Sequence, residues 1–120
     1  MRYPVRGTIK SRTRLQQLFD TGVRIRGRNV LLIAGQDGGP AALAFIAGKR
    51  LGGATVRNRA KRRLRAAAAA ALRDWPMAEG AQLVLVANTR TLQARFGDLV
   101  ADIRRALVQA GQGSEQGQKV

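Results

Sequence analysis

From Lys49 to Arg65 the chain reads K-R-L-G-G-A-T-V-R-N-R-A-K-R-R-L-R, and six of the nine residues from Arg57 onward are Lys or Arg with no acid between them. Gly52 and Gly53 end any strand before them, Thr55 can cap the free amides of a first helical turn, and the alanine-rich run to Leu72 carries the helix on. At roughly 100° per residue, Val56, Ala60, Leu64, Ala67, Ala68, Ala71 and Leu72 fall on one apolar arc, small enough to lie close on a sheet. Asn58, Lys61, Arg62 and Arg65 share one flank, and Arg59 and Arg63 lie towards the other. An exposed helix usually intersperses acids among its bases. This one has none to relieve the repulsion, which calls for a polyanion rather than a solvated face.

The charge is confined to the same part of the chain. The net +15 lies wholly in residues 1–73, which hold 17 Lys or Arg against Asp20 and Asp37, while residues 74–120 carry five of each sign. At 120 residues the chain fits one domain with a modest core. Without cysteine there is no disulfide framework or thiolate metal site, and without histidine the commonest metal ligand and general base is missing. That composition fits a cytoplasmic protein. No hydrophobic signal segment opens the chain, the longest apolar run, Ala66 to Leu72, is too short to span a bilayer, and no amphipathic helix carries bulky membrane anchors.

Residues 1–10, with Arg2, Arg6 and Lys10, read as a mobile basic arm ahead of a single domain over 11–110. Ser11 or Thr13 can cap a short helix to Asp20 with Leu15, Leu18 and Phe19 on its apolar face, stopped at Thr21-Gly22. Val23 to Arg26 alternates as a half-exposed strand; Val30 to Ala34 and Ala41 to Ala47 are apolar runs separated by a hairpin-like Gln36-Asp37-Gly38-Gly39-Pro40. After the basic helix, Asp74-Trp75-Pro76 ends the helical pattern, Leu83 to Ala87 makes a fourth strand, and Asn88 to Gln93 is a loop. From about Arg95 a last helix presents Phe96, Leu99, Val100, Ile103 and Leu107 as a core stripe, and residues 111–120 are a polar, glycine-rich tail expected to be disordered. The order α, β, β, β, α, β, α predicts an α+β fold, a four-stranded sheet with three helices concentrated on one face.

Side-chain chemistry offers little for catalysis. Only seven carboxylates exist, and neither a P-loop nor a dinucleotide-binding glycine pattern is present. Asp98 and Asp102 lie one helical turn apart and could in principle hold magnesium, but two solvated acids near a helix start account for them as well. No protein catalytic residue and no protein metal site is expected, so any reaction served must find its reactive groups elsewhere.

The segment G-K-R-L-G-G-A-T-V-R-N-R-A-K-R-R-L-R strongly resembles the signature of the bacterial ribonuclease P protein component. A Leu15, Phe19, Gly22 pattern, strands near Val30, before Gly48 and at Leu83, and a closing helix occur in family order, so the resemblance covers roughly residues 8–108. It implies a fold like the second domain of a small-subunit ribosomal protein, with a left-handed β-α-β crossover around the basic helix. It also implies a partner, a catalytic RNA that uses Mg2+, held mainly by RNA and substrate, to hydrolyse precursor tRNA at its 5′ end.

Carried over by position, Arg57, Asn58, Lys61, Arg62 and Arg65 match the R-N-R helix and Lys49 and Arg50 the basic pair before the loop, with Arg59 and Arg63 completing the candidate RNA-binding cluster. Phe19 matches an aromatic of the cleft for the single-stranded 5′ leader. Leu15 and Ile33, where family members often have aromatics, are assigned to that cleft with it. A structural RNA-binding protein such as a ribosomal component is the alternative. A DNA-binding module is disfavoured because Ala60 and Leu64 lie on the buried stripe and no helix-turn-helix pattern precedes them.

Overall fold

The computed structural model describes residues 7–37, 39–73, 77 and 79–111. In chain order they form β1 (Gly7–Thr8), α1 (Arg12–Thr21), β2 (Val23–Arg26), β3 (Val30–Gln36), β4 (Ala42–Ile46), a 3₁₀ turn (Lys49–Leu51), α2 (Ala54–Ala71), β5 (Ala81–Ala87) and α3 (Phe96–Gln109). Ser11 caps α1, its Oγ accepting from the Arg14 amide at 3.1 Å, and the Gly22 amide closes that helix on the Leu18 carbonyl at 2.8 Å. Residues 74–76, expected to end the α2 pattern, lie outside the described residues, as do 1–6 of the basic arm and 112–120 of the tail.

The strands form one mixed sheet in the order β1-β4-β5-β3-β2. Gln36 to Pro40 is therefore not the loop of a paired hairpin: β3 lies antiparallel and β4 parallel to β5, which stands between them. Composition explains the placement. β5 reads AQLVLVA and buries every residue but the half-buried Val86, so it takes the centre, where both faces are covered. β2, carrying Arg24 and Arg26, takes an edge. The arm also differs from expectation at its end, for Gly7 and Thr8 pair with Ala42 and Leu43. Ile9 follows them into the core, and its amide donates to the Leu43 carbonyl at 2.9 Å. The sheet thus gains a short fifth strand.

The expectation of helices gathered on one face is corrected as well. α2 and α3 cover one face, where Leu32, Leu83 and Leu85 meet Leu64, Leu99, Ile103 and Leu107; α1 covers the other, where Leu18 packs with Ile33, Ala44 and Val84. Strands that are apolar at successive positions demand cover on both sides. Ala60, Leu64, Ala67, Ala68 and Ala71 are buried as their arc predicted. On α3 the stripe holds at Leu99, Ile103 and Leu107, but Phe96 is 44% exposed because it stands at the helix start, outside the sheet's reach.

Candidate nucleic-acid interface

β4 leads into the basic segment through the 3₁₀ turn, whose Leu51 and Gly52 amides donate to the Gly48 and Lys49 carbonyls at 3.1 and 3.2 Å. Gly52 has φ of 140° and its α-carbon faces Val56, so the turn depends on glycine here. The helix cap is Gly53, without a side-chain hydrogen bond, and Thr55 falls inside the first turn. That corrects the expected Thr55 cap, and it leaves the amide end of α2 bare beside Lys49 and Arg50. Helix dipole and side chains therefore present one sign of charge.

Lys49, Arg50, Asn58, Arg59, Arg62 and Arg65 are exposed, while Arg57, Lys61 and Arg63 are half-buried. Along α2, Asn58, Lys61, Arg62 and Arg65 occupy the flank that helix geometry assigned to them. Arg63 has a different employment. Its two terminal nitrogens donate to the Thr91 and Ala94 carbonyls, each at 2.5 Å, so its guanidinium ties α2 to the loop before α3. That loop is further fixed by Thr91, whose hydroxyl accepts from the Asn88 amide at 2.9 Å and donates to the Asn29 carbonyl at 2.6 Å. An Arg in a basic run gives no sign from sequence that its donors are already spent within the fold.

The second basic and apolar surface lies on the opposite sheet face, beside α1. Glycine lets this helix sit low: a Cβ at Gly22 would stand 2.6 Å from Ile33 Cγ2, and one at Gly35 would run into Leu18. Arg14 pins the helix to the sheet end, donating through Nε to the buried Gln82 and through a terminal nitrogen to the Gln36 carbonyl at 2.5 Å. Leu15 and Phe19 remain half-buried at the helix edge. Arg24 brackets Phe19, with its guanidinium 5.9 Å from the ring centroid and 2.7 Å from the Phe19 carbonyl.

Ile33 is placed differently from its cleft assignment. It is 0% exposed, packed under α1 with Leu18 and Val84, and it has no surface to offer. The accessible floor is one row further along: Leu31, Val86 and Ile46 are register partners across β3, β5 and β4 and are half-buried on the same face. Arg26 stands opposite Leu31 on β2 and is exposed. Sequence alternation places Leu31 and Ile33 on one face, but which of them α1 covers depends on where the helix lands.

Asp98 is exposed, but Asp102 is buried rather than solvated: one oxygen accepts from the Asn29 amide at 2.8 Å, the other from Arg105 at 2.9 Å. Among the described residues no three acids, histidines or cysteines come together as a metal site. Asp102 instead fastens the β2–β3 turn onto α3, and a Cβ at Gly27 would collide with its carboxylate.

The family profile for Ribonuclease P matches residues 4–111. The ribonuclease P protein component of Gluconacetobacter diazotrophicus is 34% identical over 105 residues, covering 86% of this chain and 90% of the relative. That of Symbiobacterium thermophilum is 34% identical over 106 residues, with the same coverage of 86% and 90%. Among solved structures, the RNase P protein of Thermotoga maritima superposes with a TM-score of 0.70 at 18% identity, covering 85% of this chain and 96% of that one. That of Staphylococcus aureus gives 0.69 at 17% identity, with 86% and 94% covered.

Proposed function

Because this chain belongs to the ribonuclease P protein family and so serves as a subunit of that endoribonuclease, we propose that its two surfaces divide the enzyme's RNA between them. The α2 flank and the preceding turn bind the catalytic RNA subunit; the groove beside α1 holds the single-stranded 5′ leader of precursor tRNA. The observation that carries this reading is the separation itself. Asn58, Lys61, Arg62 and Arg65 project from the helix on one side of the sheet, while Leu15, Phe19, Leu31, Val86 and Ile46 line an apolar floor on the other.

Each surface suits its partner chemically. A folded RNA presents closely spaced phosphates, which an acid-free row of guanidinium and ammonium groups neutralises with release of counterions. A single strand exposes its base faces, which need an apolar, partly aromatic floor with cations at the rim; Phe19 supplies the ring and Arg24 and Arg26 the charge. The chain's own residues then act by binding and orientation, holding the leader so that the scissile phosphate is presented to the RNA. In this reading Mg2+ is held by the catalytic RNA and the substrate, and the chain's own residues contribute binding contacts alone.

The test is reconstitution with a ribonuclease P RNA from a relative, followed by cleavage of precursor tRNA at low magnesium. Stimulation that depends on the leader, and that is lost in Arg62→Ala, is the expected result. Equal stimulation of leader-bearing and leader-free substrates would remove the leader from the α1 groove.

A further inference from the structure

On the α2 side of the sheet, a cavity of about 260 Å³ opens between β4 and the C-terminal half of α2. Its sheet wall is Thr8, Leu43 and Phe45, and its helix wall is Arg65, Ala68 and Leu72, with the exposed Ala69 at the lip. Phe45 is one of only five aromatic residues in the chain, yet it is half-buried at the rim of the core, with the Arg65 guanidinium 5.3 Å from its ring centroid. We propose that this slot receives one nucleobase of the catalytic RNA, splayed from its helix and packed against the Phe45–Arg65 pair. The proposal rests on the α2 flank being the RNA-binding surface.

Two features point to a base rather than a phosphate. The first is the charge sequence along the helix. Lys61, Arg62 and Arg65 are followed by Ala66, Ala69 and Ala70, and no cation recurs until Arg73. Lys61, Arg65 and Ala69 follow one another at intervals of about 6 Å on the same side of the helix. An RNA tracked by the first two meets, at the next step, a recess with no cation beyond Arg65 itself and with apolar walls that can cover a π-face. The second is the shape and lining of the recess. Phe45, the Arg65 guanidinium, Leu43, Leu72 and alanine methyls, with Thr8 at the sheet wall, make a mostly apolar slot without a carboxylate, and stacking on aromatic and Arg groups is how proteins hold unpaired RNA bases.

This slot is distinct from the leader groove. Leu43 and Phe45 point to the α2 face of β4, whereas Ala42, Ala44 and Ile46 point to the α1 face. A base held at Phe45 therefore belongs to the RNA on the α2 flank and not to the leader on the far side of the sheet.

The experiment uses the full chain assembled with a ribonuclease P RNA from a relative. Ultraviolet crosslinking and peptide mass spectrometry should give a nucleotide adduct on Phe45. Phe45→Leu and Arg65→Lys, which keep packing and charge respectively, should each weaken RNA binding about tenfold without changing the slope of affinity against salt. Ala69→Leu, which fills the slot from an exposed helix position, should do the same in a protein of unaltered melting temperature. Absence of the adduct, with all three variants binding as wild type while Arg62→Ala still weakens binding and flattens the salt slope, overturns the slot and leaves the flank intact. If Arg62→Ala binds as wild type, the flank fails and the slot fails with it.

Discussion

Leu31 and Ile33 sit two residues apart on β3 and face the same way, but only Ile33 lies under α1. Their alanine variants should therefore fail in different ways. Ile33→Ala empties a fully enclosed site, which costs about 2 to 5 kcal/mol and, at about 4 °C per kcal/mol for a domain of this size, lowers Tm by on the order of 10 to 20 °C. Below that Tm, discrimination between precursor and mature tRNA should survive. Leu31→Ala removes a half-exposed side chain, so stability should fall by about 1 kcal/mol or less, while affinity for leader-bearing RNA falls selectively. Phe19→Ala should show the largest selective loss, about 1 to 3 kcal/mol of base stacking, since it also deprives Arg24 of the ring it now covers. The assay pairs melting curves of the free protein with binding of the assembled enzyme to precursor and mature tRNA. A Phe19→Ala protein that melts low and loses both RNAs alike would mean that the ring is core packing; selective leader loss in Ile33→Ala would mean that α1 lifts to expose the floor.

Further outcomes follow from the other side of the sheet. Arg62→Ala should weaken catalytic-RNA binding by about 1 to 3 kcal/mol and Arg73→Ala much less, as read by filter binding; equal losses would assign recognition to bulk charge. Arg63→Ala should instead lower Tm, by the loss of two charged hydrogen bonds worth about 1.5 to 3 kcal/mol each, with RNA affinity nearly kept, and a stable variant with weakened binding would return Arg63 to the interface. Asp102→Ala strands the buried Asn29 amide and should destabilise by about 2 to 4 kcal/mol in urea titration; a loss under 1 kcal/mol would refute its role as a fastening. Affinity for the catalytic RNA should fall steeply from low to physiological salt, and a flat response would contradict a phosphate-binding flank.

Local patterns were legible in the chain because local physics decides them. β2 falls at Val23–Arg26 as its alternation predicted, Ser11 caps α1, and the buried arc of α2 follows from a fixed step per residue. Pairing was harder to see, since it is settled by competition among strands: the short link from β3 to β4 looks like a hairpin, but β5 is apolar on both faces and displaces that pairing. Thr55 yielded the cap to Gly53 because the 3₁₀ turn and the Gly52 backbone start the helix two residues early. Within the candidate sites, residue type indicated charge and apolarity but not occupancy. Only tertiary contacts show Arg63 spent on two carbonyls and Ile33 sealed beneath Leu18.

The alanines of α2 connect fold and function more directly than the arginines beside them. As the link between the parallel strands β4 and β5, α2 must lie across the sheet. Ala60, Ala67, Ala68 and Ala71 let it do so closely, with Leu64 as its one large fully enclosed side chain. The low seat has two consequences. It brings Arg63 within reach of the Thr91 and Ala94 carbonyls, which locks the helix's rotation about its own axis. It also sets the guanidinium of the exposed Arg65 over the Phe45 ring. A helix held in rotation presents Asn58, Lys61, Arg62 and Arg65 as a fixed row, and a fixed row can match a phosphate pattern where a rolling one would offer only net charge. The small residues thus convert a basic run, which binds any polyanion, into a surface with a defined register.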